Sequence, residues 1–517
     1  MAEYIACMVN PKTSGVYIEE IPDGGPAIVG VSTATTAFVG RALMGPVDTP
    51  ALVTSFAEFA RIFGGLWVNS TMSFAVQQYF ASGGGEAVIV RVFHTGDATT
   101  PKDHTVTFTA TGAPNDLNLM ASSAGSWAST LRVTVDHDTK DPLDTKLVNI
   151  TVDRGPNTPP LEVLRDLSLD TSSPSFIGRT LDRMSEYLEL DGPVTGVDSL
   201  NDLPATRTVP AGPDGIDVII TSIVPMTATV RTGIHALDAA DIFNLLCLPP
   251  PTPDGDLDGP AWQRAASYCQ DRRAMLIIDP PRSTITPDDA IADLPSLVTT
   301  DSENAAVFYP RILLQNPLAP DVIEPYPPAG SIAGVFARMD RQRGVWKAPA
   351  GTEATIPGVQ GLTDSLNDED NGRLNPLAIN CLRTFPLIGS VVWGSRTMDG
   401  KDANGSDWKY IPVRRLALYI EESLHRGLKW AVFEPNDERL WAQIRLNAGA
   451  FMHNLFLQGA FQGPSPSSAY FVQCDHATTT QNDIDAGIVN VVVGFAPLRP
   501  AEFVILNIQQ LAGQNAG

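Results

Sequence analysis

Cys474, Asp475 and His476 are consecutive and form the one local cluster in the sequence that could bind a metal or supply a nucleophile with its base. Such a site needs further ligands or an orienting group at defined spacing, for instance two histidines on one helical turn. The seven histidines are scattered instead, and none stands in an H-E-x-x-H pattern. The cluster follows an apolar run, so a strand ending in a polar turn explains it better. We expect neither catalysis nor a bound metal here.

Residues 394–401 (GSRTMDGK) resemble a phosphate-binding loop, in which backbone N–H groups surround a nucleotide phosphate. The segment has one residue too many between its glycines, and Asp402 stands where a magnesium-binding Ser or Thr is required. The sequence also lacks the G-x-S-x-G elbow of an α/β hydrolase. We therefore expect a polar loop at this position, no cofactor and no enzymatic activity.

The charge balance excludes two classes of partner. The chain carries 35 Lys and Arg against 58 Asp and Glu, a formal net charge of −23. Nucleic-acid binding needs a basic face, and anionic membranes attract basic segments, so we expect no nucleic acid and no membrane insertion. Five widely spaced cysteines favour free thiols in a reducing compartment. Because residues 1–12 lack the pattern of a secretory signal, we expect assembly in the cytoplasm.

Most of the chain alternates between strand and helix patterns, which predicts an α/β layer. The expected strands are 33–40, 86–93, 241–247, 274–278 and 305–310, and the expected helices are 56–63, 72–81 and 261–272. Residues 94–215 are instead rich in Thr, Asp, Pro and Gly, with short strands such as 131–135 and 147–152. We therefore predict an α/β middle domain from residues 23–95 and 216–345, interrupted by an inserted β-rich domain at 96–215.

A last domain is predicted at 346–499. Its first helix, 412–428, has Val413, Leu416 and Ile420 on one face, with Arg414 and Arg415 opposite. A longer helix, capped by Asn436, follows. The aromatic residues of this region have helical or strand spacing and are expected in the core: Trp430, Phe433, Trp441, Phe451 and Phe456.

Both ends of the chain have strand patterns with no evident partner. The N-terminal one, set off by the turn-rich residues 22–26, consists of Gly15, Val16, Tyr17, Ile18, Glu19, Glu20 and Ile21. The C-terminal one, set off by Pro497 and Pro500, consists of Glu502, Phe503, Val504, Ile505, Leu506, Asn507 and Ile508. A free strand is an open edge, so we expect arms at 1–22 and 500–517 that add strands to a neighbouring chain. The alternative is that both strands complete the subunit's own sheet.

Several segments resemble the tail sheath proteins of contractile phages and phage-tail-like injection systems. Near the N-terminus these are SGVYIEEIPDG, GVSTATTAFVG and LVTSFAEFARIFGG. In the C-terminal half they are WKAPAG at 346–351, LNPLAINCLRTFP at 374–386, VVWGSRT at 391–397, the segment 410–441 and GFAPLRPAEFVILNIQQ at 494–510. The resemblance covers roughly half of the chain, and residues 136–215 and 284–340 contribute little to it.

This resemblance implies an α+β and α/β multidomain fold with a mixed-sheet inner C-terminal domain, an outward-facing inserted domain and extended terminal arms. It also implies a homo-oligomer of stacked, hexameric rings around an inner tube protein, with baseplate and terminal cap proteins as further partners. The sheath would be assembled extended and metastable, then contract and drive the tube through a target envelope. The particle would be a phage tail or a related injector, cytosolic or released by lysis.

Local charge suggests how the last domain would contact the tube. Five basic residues outnumber the acidic ones around helix 412–428 in an otherwise acidic chain: Lys409, Arg414, Arg415, Arg426 and Lys429. We predict that they contact the inner tube; the alternative is that they face water or a neighbouring subunit. For the whole chain, the alternatives are an α/β hydrolase-like enzyme and a non-contractile shell or binding protein.

Overall fold

The computed structural model describes residues 27–94, 105–110, 116–194, 197, 199–210, 214, 218–227 and 231–502. The strands are β1 Thr36–Gly40, β2 Ala51–Val53, β3 Ala87–Arg91, β4 Thr105–Phe108, β5 Leu117–Ala121, β6 Arg132–Asp136, β7 Leu147–Asp153, β8 Glu162–Ser168, β9 Leu188–Leu190, β10 Ala205–Thr208, β11 Leu245–Cys247, β12 Met275–Ile278, β13 Ala305–Tyr309, β14 Ile312–Asn316, β15 Ala319–Tyr326, β16 Gly361–Leu362, β17 Ile379–Phe385, β18 Gly389–Val392, β19 Tyr470–Gln473 and β20 Val492–Phe495. The helices are α1 Phe56–Phe63, α2 Thr71–Ala81, α3 Ile177–Met184, α4 Ile220–Ile223, α5 Gly259–Asp271, α6 Pro287–Asp293, α7 Ala329–Arg343, α8 Asp368–Leu374, α9 Ile411–Gly427, α10 Glu438–Leu457, α11 Pro466–Ala469 and α12 Gln481–Asp485.

The described residues divide into two units. The larger comprises 32–418 and 499–502, and the smaller comprises 27–31 and 419–498. The division falls within α9, after Leu418. Among the described residues, no helix combines the length and the apolar composition needed to cross a bilayer.

The larger unit is built on an eight-stranded mixed sheet of order β18-β17-β13-β12-β11-β1-β3-β2. The strands from β17 through β3 in this order run parallel, whereas β18 and β2 pair antiparallel at the two edges. Strand β1, TAFVG, which lies between β11 and β3, is buried on both faces, as expected for a parallel strand covered by helices. Its residues alternate between two cores: Ala37 and Val39 contact one, and Phe38 contacts the other.

Helices cover both faces of this sheet. The core that contains Ala37 receives α5 and α6 through Trp262, Ala266 and Ala290. The core that contains Phe38 receives α1, α2 and α7. The Ser55 hydroxyl accepts the Glu58 N–H at the start of α1, at the beginning of the predicted helix 56–63, and the Glu58 carboxylate accepts from Thr54. The mixed α/β architecture expected from the sequence is therefore present.

The residues between β3 and β11 form separate antiparallel sheets, β10-β6-β7-β8 and β4-β5-β9, around a core of their own. Seven of the described strands, β4 to β10, lie within the segment 96–215 that the sequence marks as β-rich. After them the chain forms the short helix α4 at 220–223 and then returns to the eight-stranded sheet at β11.

The domain boundary expected at residue 346 requires correction. Strand β17 pairs with β13, Val307 opposite Ile379, so 379–392 belongs to the same sheet as the middle segment. The second segment of the smaller unit begins only at residue 419. Sequence periodicity identifies a strand but does not indicate which sheet it joins, and this caused the error.

The smaller unit consists of the second half of α9 and the elements α10 to β20. Asp437, and not the expected Asn436, caps α10 by accepting the N–H groups of Arg439 and Leu440. Leu440, Trp441 and Ile444 of α10 pack with Cys474 in its core. Strands β19 and β20 form a two-stranded antiparallel sheet in which Phe471 lies opposite Gly494.

Four cysteines lie in the described residues, and all are free and buried: Cys247, Cys269, Cys381 and Cys474. Burial raises the pKa of each of these thiols. Cys247 lies in the core on one face of the eight-stranded sheet, whereas Cys269 and Cys381 lie in the core on the other.

Substitutions at the contact between α2 and α7 should test this packing. A Cβ atom at Gly334 would lie 2.4 Å from the Tyr79 carbonyl oxygen, so Gly334→Ala should separate the helices and lower the free energy of unfolding by about 1–3 kcal/mol. Gly372 of α8 has open space around it, and Gly372→Ala should be neutral or stabilise by up to about 1 kcal/mol. Urea denaturation of both variants measures the difference; equal midpoints would contradict the close packing.

Candidate functional site

An enzyme of this architecture would have its site at the carboxyl edge of the parallel strands. There Asp279, directly after β12, accepts the Ala329 N–H at 2.8 Å. Arg311, two residues after β13, pairs with Asp256 at 2.6 Å and donates to the Pro280 carbonyl at 3.1 Å. Burial raises the pKa of Asp279 to about 7, although its hydrogen bond to Ala329 and the charge of Arg311 oppose this shift.

A cavity of about 300 Å³ adjoins this edge, between α2 and the β14–β15 hairpin. Prolines and Phe74 supply much of its wall, and its charged groups have partners within the chain. Arg282 pairs with Asp254, while Glu324 accepts from Asn316 and from the Tyr326 hydroxyl. The lining brings together no nucleophile, base and orienting group. Among the described residues, no group of three or more His, Cys, Asp or Glu is arranged to hold a metal.

The Cys474–Asp475–His476 cluster has a structural role. Cys474 is buried against α10, and its carbonyl accepts from Arg445. The Asp475 carboxylate accepts the Ala477 N–H at 2.8 Å, and this stabilises the turn that follows β19. The His476 ring packs edge-on against Trp441, 4.7 Å between centroids. The three side chains therefore have separate contacts and do not converge on one point.

A buried amide organises the loop 394–401. Asn380 of β17 accepts the Arg396 N–H at 2.7 Å and donates to the Arg396 carbonyl at 2.8 Å. A Cβ atom at Gly394 would lie 2.7 Å from the Asn380 Cα, so this glycine permits the close approach. The sequence offered no reason to single out Asn380, because a buried asparagine becomes informative only when its partners are known.

Arg414 and Arg415, two of the predicted tube contacts, are inside the protein. Arg415 forms a two-pronged pair with Asp340 of α7 at 2.9 and 2.6 Å, and both side chains are 3% exposed. The same guanidinium donates to the Thr33 carbonyl at 2.8 Å. Arg414 donates to Asn304 Oδ1 at 2.9 and 3.1 Å. The first part of α9, 411–418, is buried on all sides, so its arginines do not form the polar face that the sequence suggested.

The other three predicted tube contacts are at least partly accessible. Lys409 binds Asp402 at 2.7 Å, and Arg426 binds Glu422 at 2.6 Å, one helical turn before it. Lys429 is exposed. Nearby, Phe433 is fully exposed and has a positive φ of 71°, which corrects its expected place in the core. Of the other expected core aromatics, Trp441 and Phe451 are buried.

The predicted N-terminal strand, 15–21, lies outside the described residues, but the segment that follows it is anchored. Ile28 packs against Gly427, where a Cβ atom would lie 2.7 Å from it. The Val31 N–H donates to the Ser423 hydroxyl at 3.2 Å. Both contacts are with α9 and lie within the smaller unit, so the base of the N-terminal arm is fixed on that helix.

The predicted C-terminal strand is described only at its first residue, Glu502; residues 503–508 lie outside the described part. Glu502 binds Arg396 through both carboxylate oxygens, at 2.7 and 2.6 Å. The base of the C-terminal arm is therefore tied to the loop 394–401 of the larger unit.

The two-stranded sheet β19–β20 of the smaller unit is partly exposed to solvent. Within the described part of the chain, β19 pairs only with β20. One face carries Tyr470 and Phe495, which contact the ring of Phe461. Phe471 and Val492, on the other face, are about half exposed. Among the described residues, the outer edge of β19 has no strand partner, whereas just beyond β20 the Gln462 N–H donates to the Ala496 carbonyl at 2.9 Å. Two strands alone are marginally stable in water, so the β19 edge and the half-exposed apolar face offer a place for a further strand.

Comparison with protein families identifies two consecutive matches. The model of the phage tail sheath protein central domain matches residues 231–398, and that of the phage tail sheath C-terminal domain matches residues 403–510. Together they cover more than half of the chain.

Individual relatives agree with these matches. The tail sheath protein of Vibrio phage KVP40 is 27% identical over 183 residues, which is 35% of this chain and 26% of the relative. A putative prophage major tail sheath protein of Pseudomonas aeruginosa is 26% identical over 286 residues, 53% of this chain and 67% of the relative. The chain thus matches about a quarter of the Vibrio phage protein and two thirds of the prophage protein.

Among solved structures, the fold is similar to the sheath complex of PVC, an extracellular contractile injection system, in its contracted state. The TM-score is 0.59 at 22% identity, and the match covers 97% of this chain and 98% of that chain. This similarity establishes the fold.

The buried carboxyl group of Asp279 should make stability depend on pH. A raised pKa means that the folded state holds a proton that the unfolded state has released, so stability falls as pH rises from about 4 to about 7. Asp279→Asn, which is neutral and can still accept the Ala329 N–H, should gain stability over the wild type by up to about 1.4 kcal/mol per pH unit in that range.

Urea denaturation at pH 5, 6, 7 and 8 measures the difference in the free energy of unfolding between Asp279→Asn and the wild type. The titration of groups that both proteins share cancels in this difference. Asp407→Asn, at a carboxylate that is 91% exposed, is the control and should follow the wild-type profile. A gain for Asp279→Asn that is the same at all four pH values would exclude titration of Asp279 as its source.

The Arg415–Asp340 pair should be costly to break from one side. Arg415→Met leaves the Asp340 carboxylate buried without its partner, and we expect a loss of about 3–5 kcal/mol in the free energy of unfolding. The double variant Arg415→Met/Asp340→Leu should recover much of that loss. Lys429→Met, at an exposed position, should change stability by less than about 0.5 kcal/mol. Equal losses in Arg415→Met and Lys429→Met would contradict the desolvated pair.

Proposed function

This chain belongs to the phage tail sheath family, and we propose from that premise that it is the structural subunit of a contractile sheath. In this proposal the subunit polymerises around an inner tube in an extended, metastable state. The polymer then shortens and drives the tube through a target envelope. The same subunit serves a phage tail or a related injector, which is assembled in the cytoplasm.

The observation that carries the proposal is the open two-stranded sheet of the smaller unit. Its β19 edge, which has no further strand partner among the described residues, and its half-exposed Phe471 and Val492 are suited to an added strand. The chain has two candidate strands of its own, 15–21 and 502–508, whose alternating or apolar patterns suit an edge. An added strand contributes roughly 0.5–1.5 kcal/mol net for each hydrogen bond. It also contributes about 1.5–3 kcal/mol for each Val, Ile or Phe side chain that it buries.

The anchored bases of the arms support exchange between subunits. Ile28 and Val31 fix one arm base on α9, and Glu502 fixes the other through Arg396. Each arm can therefore leave its own subunit from a defined point and pair with the β19–β20 sheet of a neighbour. Such links would hold subunits together while their bodies shift during contraction.

The proposed arrangement follows the chain's division. The smaller unit, with β19 and β20, and the residues from Lys409 that lead into it form the inner layer, and the inserted β-rich segment 96–215 faces outward. The subunits stack as hexameric rings, with an inner tube protein in the lumen and baseplate and terminal cap proteins at the ends. Lys409, Arg426 and Lys429 are retained as tube contacts. Arg414 and Arg415 are withdrawn because their partners lie within the chain.

Truncation tests the arms. Deleting residues 1–21 or residues 503–517 should leave a folded subunit, with an unchanged circular dichroism spectrum and a cooperative melt, that forms no cylinders in negative-stain micrographs. The C-terminal deletion must begin after Glu502, because removing Glu502 would leave the Nε and Nη2 donors of the buried Arg396 without their carboxylate and destabilise the body itself.

Deletion of residues 511–517 is the matched control, since it shortens the tail but keeps the strand 502–508. This variant should assemble like the full chain. Unfolding of a subunit that lacks either arm would favour the alternative in which the strand completes its own sheet. Normal cylinders from both arm deletions would refute strand exchange, and dispersed monomers of the full chain would refute a sheath altogether.

A further inference from the structure

The contact between Arg396 and Glu502 is stronger than an ordinary surface ion pair. The Arg396 Nε donates to one carboxylate oxygen at 2.7 Å and its Nη2 donates to the other at 2.6 Å. The Arg396 side chain is 1% exposed and that of Glu502 is 16% exposed. Two parallel, charge-assisted hydrogen bonds away from water fix both the distance and the direction of the carboxylate.

Arg396 is itself held on every side. Its Nη1 donates to the Asn375 carbonyl and to the Asp402 carboxylate, each at 2.9 Å. Its backbone N–H and carbonyl are both bonded to the Asn380 side chain, which belongs to β17. The guanidinium is therefore fixed relative to the eight-stranded sheet, and Glu502 is fixed relative to the guanidinium.

The charges of this cluster balance. Arg396 and Lys409 face Asp402 and Glu502, and Lys409 shares the Asp402 carboxylate with Arg396. Removing Glu502 or its charge leaves an excess positive charge in a site that water barely reaches, which is costly. Lysine at position 396 would keep the charge but would lose the planar fork that binds both oxygens.

The fixed position of Glu502 matters for the register of strand pairing. Side chains alternate between the two faces of a strand, so a shift of one residue transfers every apolar side chain to the wrong face. An arm that begins at a mobile base can bind its acceptor in several registers. An arm whose first residue is fixed presents the following residues at one distance only.

We propose that Arg396 is the positioning residue of the C-terminal arm: by fixing Glu502 it sets the register in which residues 503–508 pair with a neighbouring subunit. This inference rests on the proposed function, since it requires that the arm pair with a second copy of the chain. It also gives the loop 394–401, which resembles a phosphate site, a defined role. Tension on the arm would pass through Glu502 and Arg396 into β17.

Three variants and one reference test this role. Arg396→Lys keeps the charge, and Glu502→Gln keeps the shape but removes the charge. Arg499→Ala is the matched control: it breaks the exposed pair with Asp407, 3.1 Å apart, only three residues before Glu502. The arm deletion of residues 503–517 is the reference for complete loss.

The readout that a purely structural role would not change is the register. A photo-crosslinking amino acid is placed at position 504 or at position 505 of the full chain, and the linked residues of the neighbouring subunit are mapped by mass spectrometry. In the parent chain and in Arg499→Ala, positions 504 and 505 should link to two distinct sets of residues. In Arg396→Lys and Glu502→Gln the two sets should overlap. Cylinder yield should fall by at least about tenfold, which corresponds to about 1.4 kcal/mol.

The outcomes separate the two proposals. Distinct sets and an unchanged cylinder yield in Glu502→Gln would overturn the positioning role of Arg396 while leaving the sheath function intact. If Arg396→Lys unfolds below the temperature of the assembly assay, the crosslinks and the cylinder yield of Glu502→Gln test the positioning role. Normal cylinders from the 503–517 deletion would instead show that the C-terminal arm does not pair. The positioning role and strand exchange through this arm would then fail together, and exchange through the N-terminal arm would be judged by the 1–21 deletion.

Discussion

The ion pair between Arg415 and Asp340 is the constraint on which much of the larger unit depends. Both side chains are excluded from water, so neither charge can be left without the other. Asp340 lies on α7, which therefore has to sit where α9 can meet it. On the same helix, Gly330 and Gly334 bring α7 against the backbone of α2. Through the Thr33 carbonyl, Arg415 also fixes the chain just before β1, which pairs with β11 and β3 in the sheet.

A second buried arginine, Arg396, also fixes the chain near a point where it crosses between the two units. The chain leaves the larger unit at three places, after residue 418, before residue 32 and before residue 499. Arg415 lies close in sequence to the first and binds Thr33 next to the second, while Arg396 binds Glu502 next to the third. Arginine suits this role because its planar group offers five donors to several oxygens at once. The chain is thereby fixed on the larger-unit side of each of these crossings.

Local patterns in the sequence were sufficient for most individual elements. The apolar run that became β3 and the predicted helices 56–63 and 72–81, which became α1 and α2, depend on neighbours within a few residues. The assignment of β17 to a separate domain failed because its partner, β13, lies about seventy residues earlier in the chain. The prediction that Arg414 and Arg415 contact the tube was wrong. A charged residue indicates a solvent-exposed helix face only if it has no partner inside the protein. Asn304 and Asp340, the partners that reverse this expectation, give no sign of their role in the sequence.

The buried thiols allow the opening of the core on each face of the eight-stranded sheet to be followed separately over time. A thiol reacts as its thiolate and only when a reagent can reach it, and both conditions are suppressed for Cys247, Cys269 and Cys381 in the native chain. Reaction therefore waits for local opening, and its rate reports how often that part of the core becomes accessible. Because Cys247 lies on one face and the other two lie on the opposite face, the order in which they react shows which helical layer detaches first.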